Sequence, residues 1–294
     1  MADGCNFNTE VSEMKKGLVM EGGAMRGMYT AGVIDVFMEN DIEFDGAIGV
    51  SAGAVFGCNF ISRQIGRVIR YNKRFCNDKR FCSLRSFFRT GDLFGVDFCY
   101  NEIPNKLDIF DTETFSNSDT DFYVTCTDVK TGKPAYHLCT DGGAEDLTWM
   151  RASASLPMLS KNVSINDGIY LDGGMSDSIP IKYFQSLGYD KNVIILTRHL
   201  DYEKHKNKFL PIIKLKYRKY PDFIDAIAKR HIHYNDTLNY IKKEEAAGRV
   251  YAIRPSEPIT INGATRNPDE LEYVYQLGRK DALNALSDIM NFLS

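Results

Sequence analysis

A serine set between two glycines closes an apolar run near the start of the chain, Gly49-Val50-Ser51-Ala52-Gly53. Glycines on both sides leave room for the strained backbone of a strand-to-helix bend, which lifts a serine hydroxyl clear of its surroundings as a nucleophile. The same five residues also suit a tightly packed corner, so their context decides. A serine hydroxyl attacks a carbonyl only with a base beside it and with hydrogen-bond donors where the oxyanion forms. A second glycine-rich turn, Gly22-Gly23-Ala24-Met25-Arg26-Gly27, offers bare N–H groups at a helix start, suited to an oxyanion or to a phosphate. It lacks the G-x-G-x-x-G spacing of a dinucleotide loop, and the next strand ends at the serine rather than at an acidic residue.

Two carboxylates precede paired glycines. Asp141-Gly142-Gly143 runs at once into Glu145 and Asp146, as in an exposed loop before a helix, and is assigned to structure. Asp172-Gly173-Gly174 ends an apolar strand and is followed by Ser178-Ile179-Pro180, which makes Asp172 a strand-end acid with open access. Of the five histidines only His199 follows a strand end, so only His199 could complete a Ser-Asp-His triad. His137 falls in a hairpin strand, and His205, His231 and His233 lie in basic, helical sequence.

These residues must be positioned by alternating strands and helices. GLVMEGG (17–23) reads as a strand into a tight loop, and 24–40 has helical spacing; FDGAIGV (44–50) and 52–64 repeat the unit. Two successive βα units predict an α/β fold with a mostly parallel sheet flanked by helices. DFYVTCTDV (121–129) and KPAYHLCT (133–140) read as a hairpin about the turn KTG, with further strands at 168–174 and 192–197. Beyond residue 199 the chain is helical and basic, with one more strand near 249–255 before a final amphipathic helix. We therefore expect a catalytic domain over 16–198 and a C-terminal region over 199–294 packed on it.

The chain has 294 residues, 44% hydrophobic and 26% charged, enough for a sizeable core. A net charge of −3 argues against nucleic acid as a partner. The seven cysteines are scattered without a CxxC pair, so neither a disulfide framework nor a metal site is expected. The N-terminus is polar and no apolar run is long enough to span a bilayer, which gives the expectation of a cytoplasmic protein. Two basic segments interleaved with apolar residues, 63–89 and 204–220, are candidates for peripheral contact at the inner membrane surface.

The glycine loop at 22–27, GVSAG at 49–53, Ala154-Ser155-Leu156-Pro157 and the DGG of Asp172-Gly173-Gly174 stand in the order and rough spacing of patatin-like phospholipases. The chain resembles the bacterial members in particular, over about residues 16–198 and more loosely to the C-terminus. The resemblance implies a three-layer α/β/α fold, a Ser51–Asp172 dyad without histidine, an oxyanion hole from the loop 22–27, and no metal or cofactor. It implies hydrolysis of a lipid or acyl ester through an acyl-enzyme. One departure is Ala24, where the family usually has a third glycine; its methyl group restricts the backbone. The alternatives are an esterase using Ser51, Asp172 and His199, and a non-catalytic lipid- or phosphate-binding protein using the loop 22–27.

Overall fold

A computed structural model describes residues 14–294; the polar leader and Cys5 lie outside them. The strands are β1 (Lys15–Met20), β2 (Gly46–Val50), β3 (Asp121–Asp128), β4 (Pro134–Leu138), β5 (Val163–Ile165), β6 (Gly168–Asp172), β7 (Tyr189–Ile195) and β8 (Val250–Ile253). The helices are α1 (Met28–Glu39), α2 (Ala52–Ile61), α3 (Arg67–Phe75), α4 (Leu84–Thr90), α5 (Thr112–Ser116), α6 (Ala144–Ser153), α7 (Ile181–Ser186), α8 (Leu210–Lys216), α9 (Pro221–Ala246) and α10 (Pro268–Leu293). A 3-10 turn over Ala24–Gly27 precedes α1, and a π-helical segment spans Phe98–Leu107.

One sheet carries the strands in the order β5-β6-β3-β2-β1-β7-β8, with β4 pairing β3. From β3 across to β8 all neighbours are parallel, whereas β4 and β6 run antiparallel to β3. Period-2 alternation divides the core between two faces. Leu18, Met20, Val193 and Ile195 join a cluster with α1, α2 and α10, while Val19, Ile194 and Ile48 point the other way to α7 and α9. Helices thus cover both faces of a mostly parallel sheet, the α/β arrangement expected. Residues 199–294 add to both layers: β8 extends the sheet beside β7, α10 lies on α1, and α8 and α9 pack on β6.

One feature of register positions the site. β3 meets β2 up to the pair Val50–Thr125, and meets β6 from the pair Asp172–Cys126 onward. β4 pairs Tyr123 to Thr127 of β3 and overlaps both, so it must occupy the opposite edge. β2 and β6 therefore share one edge of β3 and meet head to head, each ending at the junction.

Candidate active site

Ser51 follows the last residue of β2 and Asp172 is the last residue of β6, so the head-to-head junction brings the two together, with Val50 and Asp172 paired to the consecutive β3 residues Thr125 and Cys126. Both are buried. Ser51 stands at φ 54°, ψ −118°, a conformation that costs an ordinary residue about 1–3 kcal/mol and is held only by its surroundings. Two contacts hold it. The Ser51 amide donates to Ser153 Oγ at 2.8 Å, and that hydroxyl donates onward to the Thr125 carbonyl at 2.6 Å, tying the bend to β3. Gly53 sits so close to β1 that a Cβ would stand 2.3 Å from the Met20 carbonyl oxygen, which is why no larger residue fits.

Asp172 is fixed with equal care. Its amide donates to the Ser155 carbonyl at 2.9 Å, its carbonyl accepts from Thr127 Oγ1 at 2.9 Å, and its Oδ1 accepts from the Gly174 amide at 2.8 Å. Oδ2 is buried without a hydrogen bond of normal geometry. Burial raises the Asp172 pKa; the neighbouring Ser51 hydroxyl and the charge of Arg230 act in the opposite sense. The carboxylate is thus oriented by one oxygen and carries a free lone pair on the other, beside the serine. Gly173 passes under β3, where a Cβ would lie 2.1 Å from the Thr125 carbonyl oxygen.

The loop 22–27 lies beside the bend, since a Cβ on Gly22 would meet Ser51 Cβ at 2.9 Å. Its six amides are not equivalent. Met25 donates to the Gly263 carbonyl at 3.2 Å and Arg26 to the Gly23 carbonyl at 3.1 Å, so neither is free. The amides of Gly22, Gly23 and Ala24 have no acceptor among the described residues. Ala24 takes φ 49°, the left-handed region that a glycine would occupy without cost. The methyl group at the third glycine position is therefore accommodated under strain.

His199 lies past the end of β7, half-buried, and is absent from the groups that act on Asp172, which are Ser51, Arg230, Gly174 and Lys204. Asp141 accepts from the Gly143 amide in a local turn, as its loop assignment expected. His137, Cys139 and Asp146 place ligand atoms within 4.8 Å of one another. Asp146 Oδ2 already accepts three loop amides and its Oδ1 holds His137, so this cluster serves as a loop anchor.

A cavity of about 130 Å³ opens at Ser51 and runs between α2 and the segment 81–110, lined by Val55, Phe56, Phe81, Phe94, Ile103 and Met150 among others. Its walls are mostly apolar, with Arg67, Asp92 and Arg151 among the polar exceptions, and Ala24 and Met25 line it together with Ser51, a lining suited to an acyl chain.

Sequence reasoning missed Ser153 and Glu21. Ser153 stands one residue before Ala154-Ser155-Leu156-Pro157, so the repeated small residues of 152–155 carried its only signal. Glu21 is buried at the end of β1, accepting from the Thr197 amide at 2.7 Å and from Tyr234 OH at 2.6 Å. The basic stretch 63–89 is less free than its composition suggested. Arg67 and Arg70 bind Asp108, Lys73 binds Glu272, and Arg80 binds Asp78 and Glu102.

The sequence model described as patatin-like phospholipase matches residues 18–184, over half of the chain, and a domain of unknown function, DUF6363, matches 220–294. The chain belongs to the patatin-like phospholipase family, a family of lipid ester hydrolases. It is 30% identical to the uncharacterized protein YjjU of Escherichia coli, over 89% of this chain and 74% of that protein. It is 23% identical to a lysophospholipase nte1 of Aspergillus niger, over 93% of this chain and 18% of that much longer protein. The solved structure of VipD from Legionella pneumophila aligns with 94% of this chain and 67% of that one, at 12% identity and a TM-score of 0.46.

Proposed function

We propose that the protein is a serine lipid acyl hydrolase in which Ser51 is the nucleophile and Asp172 the base. The observation that carries this reading is the meeting of β2 and β6 on one edge of β3, which sets a strained serine beside a buried carboxylate with an unpartnered oxygen. Asp172 takes the hydroxyl proton as Ser51 Oγ attacks the ester carbonyl, and the amides of Gly23 and Ala24, with Gly22 alongside, receive the oxyanion. The leaving alcohol takes the proton, and water activated by the same carboxylate releases the acid from the acyl-enzyme. Burial supports the base role, because a carboxyl with a raised pKa is a stronger proton acceptor than an ordinary aspartate. Residues 16–198 form the catalytic unit, and 199–294 pack against it.

Phe88 and Leu84 of α4 and Leu215 of α8 are 83%, 68% and 70% exposed. Arg85, Arg89, Lys214 and Lys216 flank them. Apolar tips among cations suit reversible contact with an anionic leaflet from the cytoplasm. No described helix is long and apolar enough to cross a membrane.

The test is covalent labelling by a fluorophosphonate probe with a panel of acyl esters. Wild type should label and turn over, Ser51→Ala should do neither, and His199→Ala should retain turnover. A folded wild-type protein that is never labelled, or a His199→Ala variant without turnover, overturns the dyad.

A further inference from the structure

Near Ser51 and Asp172, outside the lining of the apolar cavity, four cationic side chains from three parts of the fold converge: Arg26 belongs to the loop 22–27, Arg198 and Lys204 follow β7, and Arg230 comes from α9. The Arg198 guanidinium stacks on Tyr202 at 4.3 Å and the Lys204 ammonium on Tyr234 at 4.2 Å, and Tyr234 is hydrogen-bonded to Glu21. A guanidinium nitrogen of Arg230 stands 3.0 Å from where a Cβ on Gly174 would be, beside the Asp172 carboxylate. All four side chains are half-buried, yet none forms an ion pair or donates a hydrogen bond among the described residues. Nε of Arg26 and Nε of Arg230 are buried without any partner.

This arrangement is costly as it stands. Like charges gathered in a partly desolvated space repel, and of the two nearby carboxylates Glu21 is committed to Tyr234 and Thr197, and Asp172 Oδ1 to the Gly174 amide. Burial and the charge of Arg230 push the Lys204 pKa down to about 7, and burial with Arg198 lowers that of Arg26. Arginine forks that the protein itself leaves unfilled are suited to a phosphate, whose oxygens accept from guanidinium N–H groups pairwise.

We propose that Arg26, Arg198, Lys204 and Arg230 form a phosphate-binding subsite that seats the phosphate of a glycerophospholipid headgroup, with the scissile ester at Ser51 and the acyl chain in the apolar cavity. This rests on the acyl hydrolase reading above and adds to it the residues that seat the phosphate. It also gives the C-terminal region a part in the site, since α9 supplies Arg230 and the two tyrosine platforms belong to residues 202 and 234. The four residues bind and position; none acts on the reacting atoms.

The test compares kcat/KM for two monomeric substrates with the same acyl chain, an acylglycerol 3-phosphate and the corresponding monoacylglycerol, in wild type, Arg230→Gln and Arg198→Gln. Arg230 lies on the inward face of α9 between the buried Ile227 and Tyr234, so Arg198→Gln serves if that variant melts early. The wild type should favour the phosphate ester, and each variant should lower the ratio by about tenfold or more. Inorganic phosphate should inhibit monoacylglycerol hydrolysis in wild type and do so more weakly in the variants. An unchanged ratio in both folded variants overturns the headgroup subsite. Loss of phosphate inhibition with an unchanged ratio assigns the site to free phosphate and also overturns it. If neither ester is cleaved and Ser51 resists the fluorophosphonate, the hydrolase reading fails, and titration calorimetry of inorganic phosphate into wild type and Arg230→Gln then decides the subsite alone.

Discussion

On the cavity side of Ser51, Arg67 is buried and its guanidinium is consumed by the protein: Asn59 Oδ1 at 2.8 Å, the Asp108 carbonyl at 3.2 Å from Nε, and the Asp108 carboxylate at 3.4 Å. Outside the cavity lining, Arg230 and three other cations are half-buried and bind no acceptor. The contrast teaches that burial alone does not say whether an arginine's donors are spent. Arg67 stabilises a wall of the cavity; Arg230 stands beside Asp172 with its Nε unpartnered. Composition cannot make this distinction, because both residues lie in basic, aromatic-containing sequence.

The largest expected effect is on a group near both regions. On the dyad proposed above, Asp172→Asn should lower kcat/KM by about 10³-fold or more, since it removes the proposed base while the geometry persists. The same change should stabilise the fold. A carboxyl whose folded pKa exceeds its unfolded value contributes stability below the unfolded pKa and loses it as pH rises through the folded one. At pH 7 the ionised Asp172 therefore destabilises the native state, and Asp172→Asn should raise Tm there, with a gain that shrinks toward acid. For wild type, kcat/KM should fall on the acid side through a pKa above the ordinary aspartate value of about 3.9. A limb at or below that value would contradict the burial argument.

Next comes the fold effect on the cavity wall. Arg67→Ala should cost about 3 kcal/mol in urea denaturation, because it leaves Asp108 buried with only the half-exposed Arg70 as partner. Arg230→Gln should be no less stable than wild type, having no protein acceptor to lose and relieving the repulsion among the cations. Equal losses in the two variants would erase the contrast drawn here.

A selectivity effect of about tenfold is expected from Val55→Phe, which places a ring in the cavity. Hydrolysis of long-chain esters should suffer relative to short-chain ones, read as a ratio of kcat/KM. An unchanged ratio would place the acyl chain elsewhere. The smallest effect belongs to Ala24→Gly, which relieves a left-handed alanine and should add about 1 kcal/mol of stability, measured by thermal melting.

The site was legible to different depths. Ser51 and Asp172 were visible because strained bends and close backbone passages require glycines nearby, and glycines are local, unmistakable letters. The hairpin of β3 and β4 and the apolar β7 were legible for the same local reason, through period-2 patterning and turn residues. The loop 22–27 was found as a unit, but the sequence could not say which amides are spent; Gly263, distant in the chain, takes that of Met25. In the basic stretch 63–89 the sequence could not say which charges are spent, since acids that pair them, Asp108, Glu102 and Glu272, are supplied from elsewhere.

By itself the sequence determined the alternation of strands and helices, the elbow that strains Ser51 and the strand end that carries Asp172, because each depends on residues a few positions apart. Only the tertiary structure decided that β2 and β6 meet on one edge of β3, that Ser153 ties the elbow down, and that four cations gather unpaired beside it. These depend on register and on contacts across the chain, where the energy comes from which groups are brought out of water together, and no short stretch of residues encodes that.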